Sequence, residues 1–258
     1  MYRSRIIPCL LLQDRGLVKT HKFKNPVYVG DPVNAIKIFN DKEVDELVLL
    51  DIKASELGRE PDYELIAEVA GECFMPICYG GGIRSLEQAR RIFSSGVEKI
   101  ALNSAALQDV KLISQIAAVY GSQSVVVAID CKKSLFGKYH VMSHSASKDM
   151  KIVPAEWART VEAAGAGEIF LNSIDRDGTM RGYDLELIES VTHSVSIPVV
   201  ACGGAGSLAD LAEPINKAGA SAVAAGSLFV FHGKHKAVLI NYPTHDAMSG
   251  LLSSREGK

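Results

Sequence analysis

The sequence predicts an α/β protein, a closed (βα)8 barrel of the TIM type built from two half-barrel repeats. Three observations carry this. Eight short β-rich runs recur along 258 residues, about 32 residues per unit, the usual size of such a barrel. The runs are apolar at nearly every position, as strands of a helix-covered parallel sheet are. The chain also repeats itself. Pro76-Ile-Cys-Tyr-Gly-Gly-Gly82-Ile-Arg-Ser85-Leu86 aligns with Pro198-Val-Val-Ala-Cys-Gly-Gly204-Ala-Gly-Ser207-Leu208 at an offset of 122, and the same offset lays Glu46-Leu-Val-Leu on Glu168-Ile-Phe-Leu. One residue later in register, Asn103-Ser104-Ala105 meets Gly226-Ser227-Leu228. Several identities at one offset mark a duplication.

In chain order, strands are expected at 5–12, 46–52, 76–78, 99–103, 124–130, 168–174, 198–201 and 222–225. Helices are expected between them, among them 62–69, 86–93, 109–120, 154–164 and 184–191. Ser85 with Gln88 predicts a capping box, and Ser207 with Asp210 a weaker one. Residues 131–153 read as a β-hairpin inserted after the fifth strand, a lid or simply a cover. With no Pro/Ser-rich linker or charge run, residues 1–258 read as one domain.

Composition excludes several function classes. There are 28 Lys+Arg against 30 Asp+Glu, with 47% hydrophobic residues. That near-neutral balance gives no footprint for nucleic acid or an anionic membrane. No apolar run approaches the 18 or more residues of a membrane span, and the apolar stretch 6–12 reads as a first strand, not a signal peptide. Five cysteines, an odd number without a C-x-x-C pair, argue against a disulfide framework or a zinc site and for a reduced, cytoplasmic setting.

The repeat carries chemistry. In each half a strand ends in Gly-Gly, a serine follows that can cap the next helix, and the next strand ends at Ser104 or Ser227. Glycine lets backbone N–H groups approach an anion, and a helix N-terminus favours negative charge. Two such places on one rim predict a ligand with a phosphate at each end; tight turns alone are the plainer alternative.

Over most of its length the chain resembles the cyclase subunit of imidazole glycerol phosphate synthase (HisF). The resemblance rests on Arg5-Ile-Ile-Pro-Cys-Leu10, Gly30-Asp31-Pro32, Asp45-Glu-Leu-Val-Leu-Leu-Asp51, Gly80-Gly-Gly-Ile83, Val125-Val-Val-Ala-Ile-Asp130, Ser173-Ile-Asp-Arg-Asp-Gly-Thr179 and Gly203-Gly-Ala-Gly206. It weakens after about Phe229, leaving a divergent segment, 229–258. The resemblance implies an acid–base pair of aspartates at the ends of strands 1 and 5. Asp130 is present, but the strand 1 position is Leu11, which the internal repeat also sets opposite Asp130. Leucine moves no proton, and a missing general acid or base costs about 10²–10⁴ in rate. Asp14, three residues on, is a remote substitute.

The resemblance further implies phosphate or substrate contacts at Asp51, Gly82, Asn103, Ser104, Asp177, Gly178, Gly204 and Ser227, with Asp175 near them. Lys19, just after the first strand, fits either a substrate-phosphate contact on a mobile loop or a solvated loop lysine. It implies an ammonia gate of Arg5, Glu46, Lys99 and Glu168 at the N-terminal mouth, where a HisH-like glutaminase docks, with Glu98 facing that partner. A plug at the barrel bottom is the plainer reading of the four charges. The Cys-Leu-Leu-Leu opening, Gly16-Leu-Val-Lys-Thr20 and Val-Leu-Ile-Asn-Tyr-Pro are similar to the HisF-like paralogues associated with glycosyl amidation (WbuZ type). That implies a third partner, a sugar amidotransferase of surface-polysaccharide synthesis. A true cyclase of histidine biosynthesis and a non-catalytic activator of the glutaminase remain the alternatives. No cofactor or metal is expected: His232, His235 and His245 lack ligand spacing. Cys9, Cys78, Cys131 and Cys202 read as small core or rim residues, and Trp157 as packing.

Overall fold

The computed structural model describes residues 4–244 and 246–248. Eight parallel strands close on themselves: β1 (Arg5–Gln13), β2 (Leu47–Asp51), β3 (Ile77–Gly80), β4 (Lys99–Leu102), β5 (Val125–Lys133), β6 (Glu168–Ser173), β7 (Val199–Cys202) and β8 (Ala222–Ala225). Each pairs with the next. β8 returns to β1 with Arg5 opposite Ala222, and β5 meets β6 with Asp130 opposite Asn172. Among the described residues, seven longer helices cover the outside: α1 (Pro32–Asp41), α2 (Tyr63–Glu72), α3 (Leu86–Ser94), α4 (Lys111–Tyr120), α5 (Pro154–Ala163), α6 (Leu185–Thr192) and α7 (Leu208–Ala218).

Strand side chains alternate between two cores, because successive residues point to opposite faces. Ile6, Leu10, Val127, Ile129, Ile169 and Leu171 face the helices in one large cluster that includes Phe39 and Trp157. Ile7, Cys9, Ala101, Val126, Ala128, Phe170, Ala222 and Ala224 fill the barrel, with Leu11 and Leu50 packed on them. The same alternation separates the cysteines: Cys9, Cys78 and Cys202 point inward and Cys131 outward.

The two halves also agree in detail. Ser85 caps α3 by accepting from the Gln88 N–H, and Ser207 caps α7 by accepting from the Asp210 N–H. Here the expected strengths are reversed. The Asp210 carboxylate accepts from both Gly206 and Ser207, completing a capping box. The Gln88 carbonyl, one methylene further out, takes the Arg84 N–H instead. Asn103 and Gly226 each precede a short helix, Ser104–Gln108 and Ser227–Val230.

Three features differ from the sequence expectation. The chain after β1 is an antiparallel hairpin, Gly16–His21 with Lys24–Gly30, laid against the end of β1. Lys19 therefore sits in a strand, not a loop. Its Val-Lys-Thr run alternates too briefly to stand out beside the long apolar strands. The insertion after β5 uses β5 itself as its first arm, which runs on to Lys133 and pairs with Tyr139–Ser143; a two-residue strand, Lys148–Asp149, follows. The expected helix at 109–120 begins at Lys111, because Asp109 ends the preceding short helix and its carboxylate accepts from the Lys111 N–H. Beyond Phe229 the chain makes a small hairpin, Phe231–His232 with Ala237–Val238. It then returns to β1, where the Tyr242 hydroxyl donates to the Ile6 carbonyl at 2.9 Å. Among the described residues no helix is long and apolar enough to cross a membrane.

Ser207→Ala is expected to destabilise the protein by about 1 kcal/mol, read from urea unfolding. Ser85→Ala is expected to cost about the same, because each serine accepts one N–H, at 3.2 Å from Gln88 and 3.3 Å from Asp210.

Candidate functional site

Two polar layers cap the ends of the apolar barrel interior. At the N-terminal end the inward positions of β1, β4 and β6, with Glu46 just before β2, bring Arg5, Lys99, Glu168 and Glu46 together. The Arg5 guanidinium bridges Glu46 and Glu168. Lys99 Nζ lies 3.0 Å from Glu46 and 2.9 Å from Glu168. The carboxylates are buried, Glu46 at 3% and Glu168 at 5% exposure, so each relies on both cations. Burial alone would lower the Arg5 and Lys99 pKa values, but Glu168 and Glu46 outweigh it and raise both. Beside the ring, Glu98 is exposed and its carboxylate accepts from the Ile77 N–H, which starts β3.

At the C-terminal end the strands open into a cleft of about 220 Å³, lined by residues from the ends of all eight strands. It brings together Leu11, Lys19, Asp51, Gly82, Asn103, Ser104, Asp130, Asp177, Gly178, Gly204 and Ser227. Leu11 and Asp130 occupy the same inward, top position of β1 and β5, as the repeat requires. Asn103 Nδ2 donates to Asp130 at 2.8 Å. Desolvation, with the Asp177 charge added, pushes the Asp130 carboxyl up to about 7, although the Asn103 bond pulls the other way.

Several of these side chains also hold the rim together. Asp51 accepts from the Lys53 and Ala54 N–H groups, both at 3.0 Å, and shapes the turn after β2. Asp177 accepts from the Thr20 hydroxyl and the Phe23 N–H, which ties the first hairpin over the barrel. The Ser104 hydroxyl accepts from Ser143 and from the His144 N–H, anchoring the insertion. Asp175 accepts from the Lys133 N–H and lies outside the cleft lining. Gly204 has φ +115°, and a Cβ there would fall 2.2 Å from the Gly182 carbonyl oxygen; this turn admits only glycine.

Asp14 does not reach the cleft. It stands at the turn after β1 and pairs with Arg59 on the outside at 3.2 Å. Lys19 is buried at 5% exposure, and its Nζ donates to the Cys9 carbonyl. One residue escaped the sequence reading. Asn172, on β6 beside Asp130, is 7% exposed and its Oδ1 has no hydrogen-bond partner, as is true of Asn103 Oδ1. The signal was its inward position between Phe170 and the strand end, which no motif highlighted.

No group of three or more His, Cys, Asp or Glu suited to a metal ion occurs among the described residues. His232 and His235 are exposed on the C-terminal hairpin, and His245 lies outside the described residues.

The model of the histidine biosynthesis protein family matches residues 5–236. A Pseudomonas aeruginosa protein named "Putative imidazole glycerol phosphate synthase subunit hisF2" is 65% identical over 243 residues, 94% of this chain and 97% of that protein. A Vibrio vulnificus relative, whose name differs only in ending in hisF3, is 52% identical over 95% of this chain and 94% of its own length. The Chlorobaculum parvum protein named imidazole glycerol phosphate synthase subunit HisF is 46% identical over 90% of this chain and 92% of its own length. With the barrel, its half-barrel symmetry and this match along nearly its whole length, the chain belongs to the histidine biosynthesis protein family, among its HisF-like members.

Proposed function

We propose that this chain is a cytoplasmic HisF-type subunit of a glutamine amidotransferase complex. It takes ammonia from a HisH-like glutaminase docked on the N-terminal face and delivers it to the cleft, for sugar amidation in surface-polysaccharide synthesis. One observation carries the reading: the charged layer below keeps all four members, while the cleft above has Leu11 where a second proton-transfer group belongs. Arg5, Glu46, Lys99 and Glu168 neutralise one another, so a neutral molecule meets little net field at this gate. Above them the lining includes Ala101, Ala128, Ala222 and Ala224, small apolar groups that offer an uncharged molecule no tight binding site.

In the cleft, the turns at Gly82, Asn103 and Ser104 stand across the barrel from those at Gly204 and Ser227. They would take the two phosphates of a bis-phosphate ligand, with Asp51, Asp177 and Gly178 shaping the wall. A sugar amidotransferase is the partner that would use the ammonia. The reading as a true cyclase draws support from Asp130, whose carboxyl near neutrality suits general acid–base work, and from the names its relatives carry. In that case the chain would be an ammonia-dependent lyase of histidine biosynthesis.

Free ammonium salt with the cyclase substrate separates the two. The wild-type chain is expected to show no cyclisation above background, and Leu11→Asp to gain about 10²-fold or more over wild type. Brisk turnover by the wild-type chain overturns the reassigned role. In the complex with a glutaminase, and at a temperature where circular dichroism shows the destabilised variant still folded, Lys99→Met is expected to leave glutamine hydrolysis intact while lowering glutamine-driven amination. Unchanged amination would instead indicate a mere activator.

Asp130 also leaves a signature in stability. Its folded pKa is about 7, above the unfolded value of about 3.9, so the folded state holds the proton longer. Stability from this group is present at low pH and is lost as pH rises from about 4 to about 7. Asp130→Asn is expected to flatten that decline and to stabilise the protein at pH 8 by roughly 1–3 kcal/mol, reduced from the full shift because the group is partly solvated. Urea unfolding across that pH range measures it.

A further inference from the structure

Among the described residues, Lys19 is the only buried lysine, and no carboxylate lies within ion-pair distance of it. It lines the cleft, and its Nζ donates to the backbone carbonyl of Cys9. The titratable groups that face it are Cys9, Cys202 and Asp177. Asp177 is committed elsewhere, its Oδ2 accepting from Thr20 at 2.8 Å and from the Phe23 N–H at 3.1 Å. The room for the amine is made by Gly226. A Cβ on that residue would fall 2.2 Å from Lys19 Nζ and 3.0 Å from the Cys9 carbonyl oxygen. In the first half-barrel the equivalent position is Asn103, so the second half has a side chain's worth of space where the first has an amide.

An ammonium desolvated without a counter-ion favours its neutral, nucleophilic form. Burial accordingly pulls the Lys19 pKa below that of a free lysine. The amine stands beside the Gly226-Ser227 turn, so a ligand phosphate seated there would bring a carbonyl a few bonds away within its reach.

We propose that Lys19 is a Schiff-base residue for a phosphorylated aldose or ketose bound in the cleft. The Nζ lone pair adds to the carbonyl carbon and gives a carbinolamine. The former carbonyl oxygen then leaves as water, taking up both amine protons, and a C=N bond remains. The step needs no oxidant, no glutaminase and no ammonia. It rests on the phosphate seat proposed at the Gly226-Ser227 turn but not on ammonia transfer, and either of the two can fail without the other.

The test uses the full chain with dihydroxyacetone phosphate and sodium cyanoborohydride, with the modified peptide mapped by mass spectrometry. The expected result is one saturable adduct on Lys19, formed about tenfold or more faster than on any other lysine. Inorganic phosphate should suppress it, and dihydroxyacetone lacking the phosphate should give far less. Lys19→Arg, which keeps the charge but forms no stable imine, should abolish the adduct while circular dichroism stays native. Labelling of exposed lysines at the same rate as Lys19, or no label on Lys19, overturns the proposal and leaves that residue a charge contact only. Should the variant fail to fold, the distribution of label within the wild-type chain decides alone.

Discussion

The two-residue alternation of eight closed strands is the constraint on which the rest of this structure depends. Once the barrel closes, every second residue of each strand must fit inside it, and every other one must meet a helix. The interior is thereby divided into layers. Charge occupies the lowest, apolar side chains the middle, and a sparse polar set the top. A one-residue slip in any strand would exchange these sets and place Glu168 or Asp130 among the helices.

The lowest layer shows how costly such a placement is when unpaired. Glu46 and Glu168 are almost wholly buried, and each is held by Arg5 and Lys99 at once. Removing one cation leaves two desolvated carboxylates sharing the other, a strongly destabilising change of the order of 3–5 kcal/mol. A well-packed apolar layer of the same volume would satisfy stability equally well. The retained charges are therefore not required by stability alone, which supports the role proposed for them at the barrel mouth.

The top layer is organised differently, since most of its polar groups serve two ends. Asp51, Asp177 and Ser104 line the cleft and also fasten the turn after β2, the first hairpin and the insertion after β5. Their fixed positions prepare the cleft in advance of any ligand, which lowers the ordering cost on binding. Asp130 and Lys19 stand apart. One is a carboxyl pushed up to about 7 by desolvation, the other an amine moved the opposite way by the same burial. Desolvation disfavours charge of either sign, so the cleft brings an acid and a base closer to neutrality together.

The sequence by itself determined the barrel, its duplication, the ring of four charges and the loss of an acid at Leu11. The barrel and its duplication follow from strand periodicity and a repeat at a nearly constant offset, which are local or self-referential signals, whereas the ring of four charges and the acid missing at Leu11 are read from the resemblance to the HisF family. It also placed the glycine turns, because Gly204 and its neighbours are dictated by backbone geometry. Only the tertiary structure decided that Lys19 lies in a hairpin strand with its amine turned to Cys9 and Gly226. It alone showed that Asp14 pairs with Arg59 outside the cleft, that Asn172 stands beside Asp130 with an unpaired oxygen, and that Asp210, not Gln88, completes a capping box. Those facts depend on which distant strands meet, and on the reach of single side chains across the closed barrel, information that no spacing along the chain contains.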